Sequence, residues 1–464
     1  MRGRQMKTAL LLGIVLVFSF MMSACGGNNG GTAGKNDPKT ETGNTGTTNE
    51  NKPAEPMKSG TEEHEPVTLK LITWNNTYQE LYDKFHAKYP WITIEVDLIG
   101  GADDNGIVER IAALEAAGTP ADLTWLMDLS PYTKGGLLED LKPYMEKDES
   151  LRNVKLPDGF FESMESGGKR FAIPFVDVPM WVLVNKDLLE KYGLEMPAND
   201  WTYDDFRSMA KAATDPAAGE YGLTYNPIFA GHFTTAMSVA NGNSPNLTYM
   251  NEDLTQSVLN SPAVLSDVKW MKELVTKDGS LPSAKKAEEL GGSVNNFVNG
   301  KTLFDIGGDW VLEPLNKEAK FQWDVLPFPK GKVKQSTYHI YGPIGMLAGS
   351  KHKEAAYLWI SFQFELEAQK WKIDHGANAS VINDELSAYI DQSPLWQGKN
   401  TSAVKLTKDM GSIAPGATIP AFSEYMWWQP WLTEVILGGK DPNGIIPLVE
   451  AWNKKTLQLR NGGK

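Results

Sequence analysis

The chain has a single cysteine, Cys25, among its 464 residues, so no disulfide can form within it. Its six histidines are scattered, with no pair at metal-ligand spacing, and we expect no metal and no cofactor. The HExxH, GxSxG and GxGxxG patterns that carry zinc hydrolysis, acyl transfer and dinucleotide binding are all missing. Gly300-Lys301-Thr302 has the end of a phosphate-binding loop, but Asn295 stands where that loop needs its first glycine. Asp441-Pro442-Asn443-Gly444 has part of a calcium loop and reads better as a surface turn. Net positive charge is also lacking. A formal charge of −13 argues against nucleic acid, whose phosphates call for clustered Lys and Arg.

Long apolar runs are absent except at the start. Arg2, Arg4 and Lys7 precede an apolar stretch, Ala9 to Met22. That is short for a spanning helix, which takes about 20 residues, and suits the central part of an export signal. Ser23, Ala24 and Cys25 follow, and the segment resembles a bacterial lipoprotein signal with Met22 where Leu is commoner. The resemblance implies removal of residues 1–24 and acylation of Cys25, palmitate included. Several acyl chains hold a protein to a membrane where one is marginal. From Gly26 to about Pro66 the chain is rich in Gly, Asn, Thr, Lys, Glu and Pro, with Met57 its one large apolar residue. Such a stretch buries too little to offset its ordering entropy. We expect residues 25–66 to be the lipidated cysteine and a tether.

What remains is large enough for more than one core, with 41% hydrophobic residues and 15 tryptophans overall. Val67, Leu69 and Leu71 alternate as in a strand. Tyr78, Leu81, Tyr82, Phe85 and Tyr89 recur at helical spacing up to Pro90, and Ile92, Ile94, Val96 and Leu98 alternate again. Strand, helix, strand within about 30 residues predicts a parallel βαβ unit. A helix with Ile107, Ile111 and Leu114 on one face follows, then a strand over Ala121 to Met127, then a helix whose N-cap and first residue are Ser130-Pro131. Further helices are expected over Asp204 to Ala213, Pro262 to Thr276 and Glu354 to His375. Strands are expected near Ala172–Phe175, Trp181–Asn185, Leu303–Gly307 and Pro343–Ala348. The pattern is α/β.

Five segments in order resemble the extracellular solute-binding protein family 1, the type that includes maltose-binding protein. They are LKLITWNNTYQELYDKFHAKYP from Leu69, AGTPADLTWLMD with GGLLEDLKPY within Ala116–Tyr144, GKRFAIPFVDVPMWVLVNKDLLEKYGLEMPANDWTYDDF from Gly168, FVNGKTLFDIGGDW from Phe297, and LPFPKGK through GSKHKEAAYLWISF from Leu326. Asn185-Lys186-Asp187 and Gly308-Asp309-Trp310 are the most specific pieces. The resemblance implies a two-lobed type II periplasmic-binding-protein fold with three hinge crossings and the ligand between the lobes. We place the crossings near Pro174–Pro179, Gly307–Trp310 and Tyr341–Ile344, where Gly or Pro stands beside apolar strand residues. That assigns residues 67–177 and 309–342 to lobe 1, and 178–308 and 343–464 to lobe 2. The implied function is that of a monomeric, membrane-anchored binding component of an ABC importer, which takes up a sugar or oligosaccharide and hands it to permease subunits.

Ligands of open α/β sheets sit beyond the carboxyl ends of the strands. That rule selects Trp74, Asn75 and Asn76 after the first strand, Asp128 after the third, Asp177 on the first crossing, and Asp309 and Trp310 on the second. Each set pairs an amide or carboxylate, which suits sugar hydroxyls, with an apolar face, which suits the C–H side of a ring. The competing roles are core packing for the tryptophans and helix caps or turns for Asp128 and Asp177. In Tyr425–Trp431 four aromatics crowd together, and Trp427 and Trp428 are further candidates. His232 reads as structural. Paired carboxylates would also suit a secreted glycosidase, but an acid-rich chain always offers such pairs. A polyamine or another small polar solute is the remaining alternative.

Overall fold

The computed structural model describes residues 64–101, 104–157, 159–226, 229–290, 296–410, 419, 422–425 and 428–461. Cys25, the tether up to residue 63 and Trp427 lie outside them.

Strand β1 (Val67–Thr73) pairs in parallel with β2 (Ile92–Leu98), from Val67 opposite Ile92 to Thr73 opposite Leu98. The helix Gln79–Lys88 connects them and buries Leu81, Tyr82 and Phe85, so the βαβ unit forms as its periodicity predicts. On the other side of β1 lies β3 (Leu123–Trp125), also parallel. The helix Asp104–Ala116 before it buries Ile107, Ile111 and Leu114. Ser130 is the first helical residue of Ser130–Lys134 rather than its cap, and Leu129 precedes it without a side-chain bond.

A two-stranded hairpin, β4 (Glu165–Ser166) and β5 (Lys169–Arg170), leads into β6 (Ile173–Pro179). Met180 alone separates β6 from β7 (Trp181–Asn185), which belongs to a different sheet. The second sheet is completed by β8 (Tyr221–Leu223), β9 (Thr302–Gly307) and β10 (Trp323–Leu326), in the order β10-β7-β9-β8. The last strand, β11 (His339–Met346), returns to the first sheet, whose order is β2-β1-β3-β11-β6. The two sheets define the two lobes. The second has its own core, built from one face of β7 (Val182, Val184) and the helices Tyr203–Ala212, Pro262–Thr276 and Trp428–Ile436. Local signals set these helix starts. Thr202 and Asp205 form a reciprocal capping box, and Ser261 caps the helix that opens on Pro262.

The expected lobe boundaries need correction after residue 308. Leu312 and Leu315 do pack with the first lobe's core, but β10 is antiparallel to β7 and lies in lobe 2. β11 therefore crosses in the opposite direction to the one expected. Its His339 end lies opposite Pro179 and its Met346 end pairs with β3. The helices Lys353–Phe362 and Leu366–Asp374 bury Trp359, Ile360 and Trp371 against Leu69, Phe85 and Phe175, so residues 343–390 are lobe 1, not lobe 2. The chain returns to the second sheet with the helix Thr401–Lys408, next to β10, and ends in the lobe 2 core with Val449 and Trp452 of Ile446–Arg460.

The helix expected over Glu354 to His375 is two helices, with the Gln363 carbonyl between them bonded to side chains. That carbonyl accepts from the Gln369 amide at 2.5 Å and from the Lys372 ammonium at 3.4 Å.

Candidate functional site

The carboxyl ends of β1 and β3 lie side by side. Trp74 is half-buried, its ring edge-on to Trp125 at 5.4 Å. Asn75 turns its side chain back on the chain, where its oxygen accepts from the Thr77 backbone N–H and hydroxyl. Asn76 is exposed. Beyond β3, the Asp104 carboxylate accepts from the backbone N–H groups of Met127 (2.9 Å) and Asp128 (2.8 Å) and from the Tyr132 hydroxyl. Burial pushes this carboxyl above its ordinary value, against the pull of those bonds. Asp128 caps the next turn by accepting from Ser130 N–H at 3.0 Å, while its other oxygen is buried without a partner. Met127 is held between them with 56% of its surface exposed.

Tyr78 joins this aromatic group. It stacks on Trp125 at 5.2 Å, meets Phe175 edge-on at 5.1 Å and leans on Trp371 at 5.7 Å. Burial raises its phenol far above the usual value, and the nearby charge of Asp309 adds to the effect. The first sheet, the helix Leu366–Asp374 and the turn after β9 therefore converge at Tyr78. Helical spacing marked Tyr78 only as part of a buried stripe.

The turn after β9 presents Trp310, which is 40% exposed. A Cβ on Gly308 would lie 2.6 Å from the Trp310 ring and 2.5 Å from Val178. Glycine is required here for close approach rather than for an unusual dihedral, since Gly308 has φ −112°. The indole thus folds over the turn and keeps a face to solvent. Beside it, burial pushes the Asp309 carboxyl up to about 6, opposed by hydrogen bonds from its own backbone N–H and that of Trp310.

Two expected contacts are placed elsewhere. Asp177 is only 9% exposed. One of its oxygens meets Nδ1 of His339 at 2.7 Å, and the other accepts from Asn378 Nδ2 at 3.1 Å. Both oxygens are engaged inside the protein, so Asp177 is part of the strand crossing and not a surface free for ligand. Trp428 is 1% exposed and lies in the lobe 2 core, edge-on to Tyr249 at 5.3 Å. Tyr425, Trp428 and Trp431 recur every three residues and are all buried in that core; the fourth aromatic of the segment, Trp427, lies outside the described residues.

The second lobe offers further polar groups. Asn226, just after β8, donates to the Ile306 carbonyl at 3.0 Å and toward Asp305 at 3.4 Å. Asp305 is buried, and its carboxyl rises to about 7 as a result. His232 packs on Tyr338 with ring centroids 4.0 Å apart, and burial lowers it to about 4, so it is neutral. The strand-end rule, applied to β8 as it was to β1, selects Asn226; β8 is only three residues long and gave no alternation to read. Among the described residues no group of three His, Cys, Asp or Glu could hold a metal ion. What these residues offer is aromatic face beside hydrogen-bonding oxygen and amide.

Residues 72–370 match the family model of the bacterial extracellular solute-binding proteins. The chain belongs to that family. A putative binding protein of Brucella abortus (strain 2308) is 25% identical over 319 residues, which cover 66% of this chain and 72% of the relative. Two solved structures show the same two-lobed type II fold. One is an ABC substrate-binding protein from Listeria monocytogenes in complex with cycloalternan, with TM-score 0.70, 23% identity, and coverage of 85% of this chain and 99% of that one. The other, from Mycobacterium tuberculosis in complex with glycerophosphocholine, has TM-score 0.67, 14% identity, and coverage of 86% and 100%. The family is one of binding proteins, and the likeness to these two structures establishes the fold. Among the described residues no helix is long and apolar enough to cross a membrane.

Proposed function

We propose that this protein is the extracytoplasmic binding component of an ABC importer. It captures a sugar or oligosaccharide between its lobes, closes on it, and delivers it unaltered to permease subunits while Cys25 holds it to the outer face of the membrane as a monomer. The observation that carries this reading is the turn Gly308-Asp309-Trp310, where a half-exposed indole follows a carboxyl whose charge acts on Tyr78 of the first-lobe aromatic group. A pyranose has a C–H face for the indole and hydroxyls for the carboxyl, so one turn can hold both sides of the ligand's chemistry. Trp74, Asn75, Asn76 and Asp128 at the carboxyl ends of the first sheet, and Trp427, are proposed to complete the contacts. The relative that carries cycloalternan supports a carbohydrate.

The relative that carries glycerophosphocholine supports a second reading, a small polar solute with a cationic head, since aromatic faces beside carboxylates also suit a quaternary ammonium. A thermal-shift screen separates the two. Neutral oligosaccharides should raise the melting temperature through linkage. Stabilisation by choline-type solutes and by no sugar would replace the first reading with the second.

A further inference from the structure

β6 and β11 pair antiparallel and both run from one lobe to the other, so any change in lobe angle passes through them. His339 sits at the start of β11, almost fully buried. Its Nδ1 lies 2.7 Å from an Asp177 oxygen on β6, and its Nε2 lies 2.9 Å from the backbone carbonyl of Thr407. A carbonyl only accepts, so Nε2 must carry a proton; a carboxylate only accepts, so Nδ1 must carry one as well. A ring with both nitrogens protonated is an imidazolium. Thr407 is in the last turn of the helix Thr401–Lys408, where the dipole favours a cation. The Thr407 hydroxyl accepts from the indole N–H of Trp181 on β7 at 3.0 Å, so one helix end touches crossing strand and second sheet together.

We propose that His339 is a proton-operated latch: in its charged form it ties both crossing strands to the end of the helix Thr401–Lys408, and loss of one proton releases that tie. The inference concerns the crossing itself and does not depend on which solute the protein binds.

The surrounding charges fit the charged form. From the segment after Leu366–Asp374, Asn378 donates to the second Asp177 oxygen, and its own N–H bonds to the Asp177 carbonyl. Lys372 on that helix and Lys408 at the end of Thr401–Lys408 both act on Asp177 with their charge, and Asp409 acts on His339. Tyr341, next but one on β11, feels Asp177 through a buried phenol that stays neutral. Burial alone would lower the imidazole, but the Asp177 charge and hydrogen bond together with the Thr407 carbonyl leave it above its ordinary value of 6.5. Because the folded value is the higher one, the latch contributes fully below about pH 6.5, the unfolded value. Its contribution is lost as pH rises through the folded value. Lys372 is lowered to about 7 by burial and works in the opposite direction: its unfolded value is the higher one, so it adds stability as pH rises from about 7 and opposes the loss from His339.

The test is a nitrogen-NMR titration of the whole protein labelled at histidine, with His339→Gln used to assign its resonances. Both ring nitrogens of His339 should carry the protonated signature at pH 6, with a midpoint above 6.5. A neutral tautomer at pH 6, which would place the shared proton on Asp177 or remove it, or a midpoint at or below 6.5, overturns the proposal. Melting temperature against pH is read in parallel. Wild type should lose stability as pH rises from about 6.5 to the midpoint, and Lys372→Met, which removes an opposing gain, should show that loss at least as steeply. No loss over that window in Lys372→Met, where the lysine can no longer mask it, sinks the latch. If His339→Gln does not fold, the wild-type and Lys372→Met arms still decide, with assignment by Thr407 proximity in a three-dimensional experiment.

Discussion

Trp310, selected by its place after a strand, and Trp428, selected from the aromatic cluster Tyr425–Trp431, have opposite fates. Trp310 is half-exposed on a glycine turn and Trp428 is sealed in the lobe 2 core. Trp310→Ala should weaken ligand binding by on the order of 2 kcal/mol, about thirtyfold, and leave the ligand-free melting temperature nearly unchanged. Trp428→Ala should cost about 3–5 kcal/mol of stability, as deletion of a core aromatic does. Calorimetry and melting curves on the two variants check the pair, and an unaffected affinity for Trp310→Ala with a collapsed melting temperature would exchange their roles. Asp305 provides a pH test at the same scale. Its folded value of about 7 lies above the ordinary 3.8. Between those values the folded state holds a proton that the unfolded chain has lost, so stability falls as pH rises through that window. The limit is about 4 kcal/mol, at 1.36 kcal/mol per unit. Asp305→Asn keeps an oxygen to accept from Ile306 N–H and Asn226, and should flatten that part of the melting-temperature profile. An unchanged slope between pH 4 and 7 would assign it to another group.

Among elements, those with internal periodicity could be read and those defined by partners could not. The βαβ unit from Val67 to Leu98 carries its alternation and its helical stripe within its own residues, and its register follows. The run from Pro343 to Ala348 is apolar on both faces. Nothing in such a run says which sheet receives it, so the direction of β11 and the lobe identity of residues 343–390 came out reversed. The break at Gln363 has no glycine or proline to mark it, and the side chains that bond its carbonyl lie six and nine positions later. Asp177 illustrates the same limit within the site. Its place at a crossing was legible, but its partners His339 and Asn378 are 162 and 201 residues away. Two changes test the local account. Thr202→Ala removes a capping box and should cost about 1 kcal/mol of stability without touching affinity. Gly308→Ala puts a methyl group where the Trp310 ring and Val178 already lie, so it should displace the indole and lower affinity toward that of Trp310→Ala. A Gly308→Ala protein that binds as wild type does would show that the ring's position is not needed.

For the molecule as a whole, the paired sheets, the two crossing strands and the family match describe a solute-binding protein. The expected export signal and the acylation of Cys25 that it implies would place it at the membrane. Cys25→Ala should then release the protein from washed membranes into the soluble fraction, and retention after a salt wash would contradict the anchor. The central claim is capture without chemistry. Equilibrium dialysis of the protein against the oligosaccharide that stabilises it most, read by mass spectrometry on both sides of the membrane, tests it in one measurement. The account predicts one sugar retained per protein at saturation and a sugar of unchanged mass in both compartments after prolonged incubation. Cleaved or transferred sugar accumulating beyond the amount of protein, or no retention of any sugar, would contradict it.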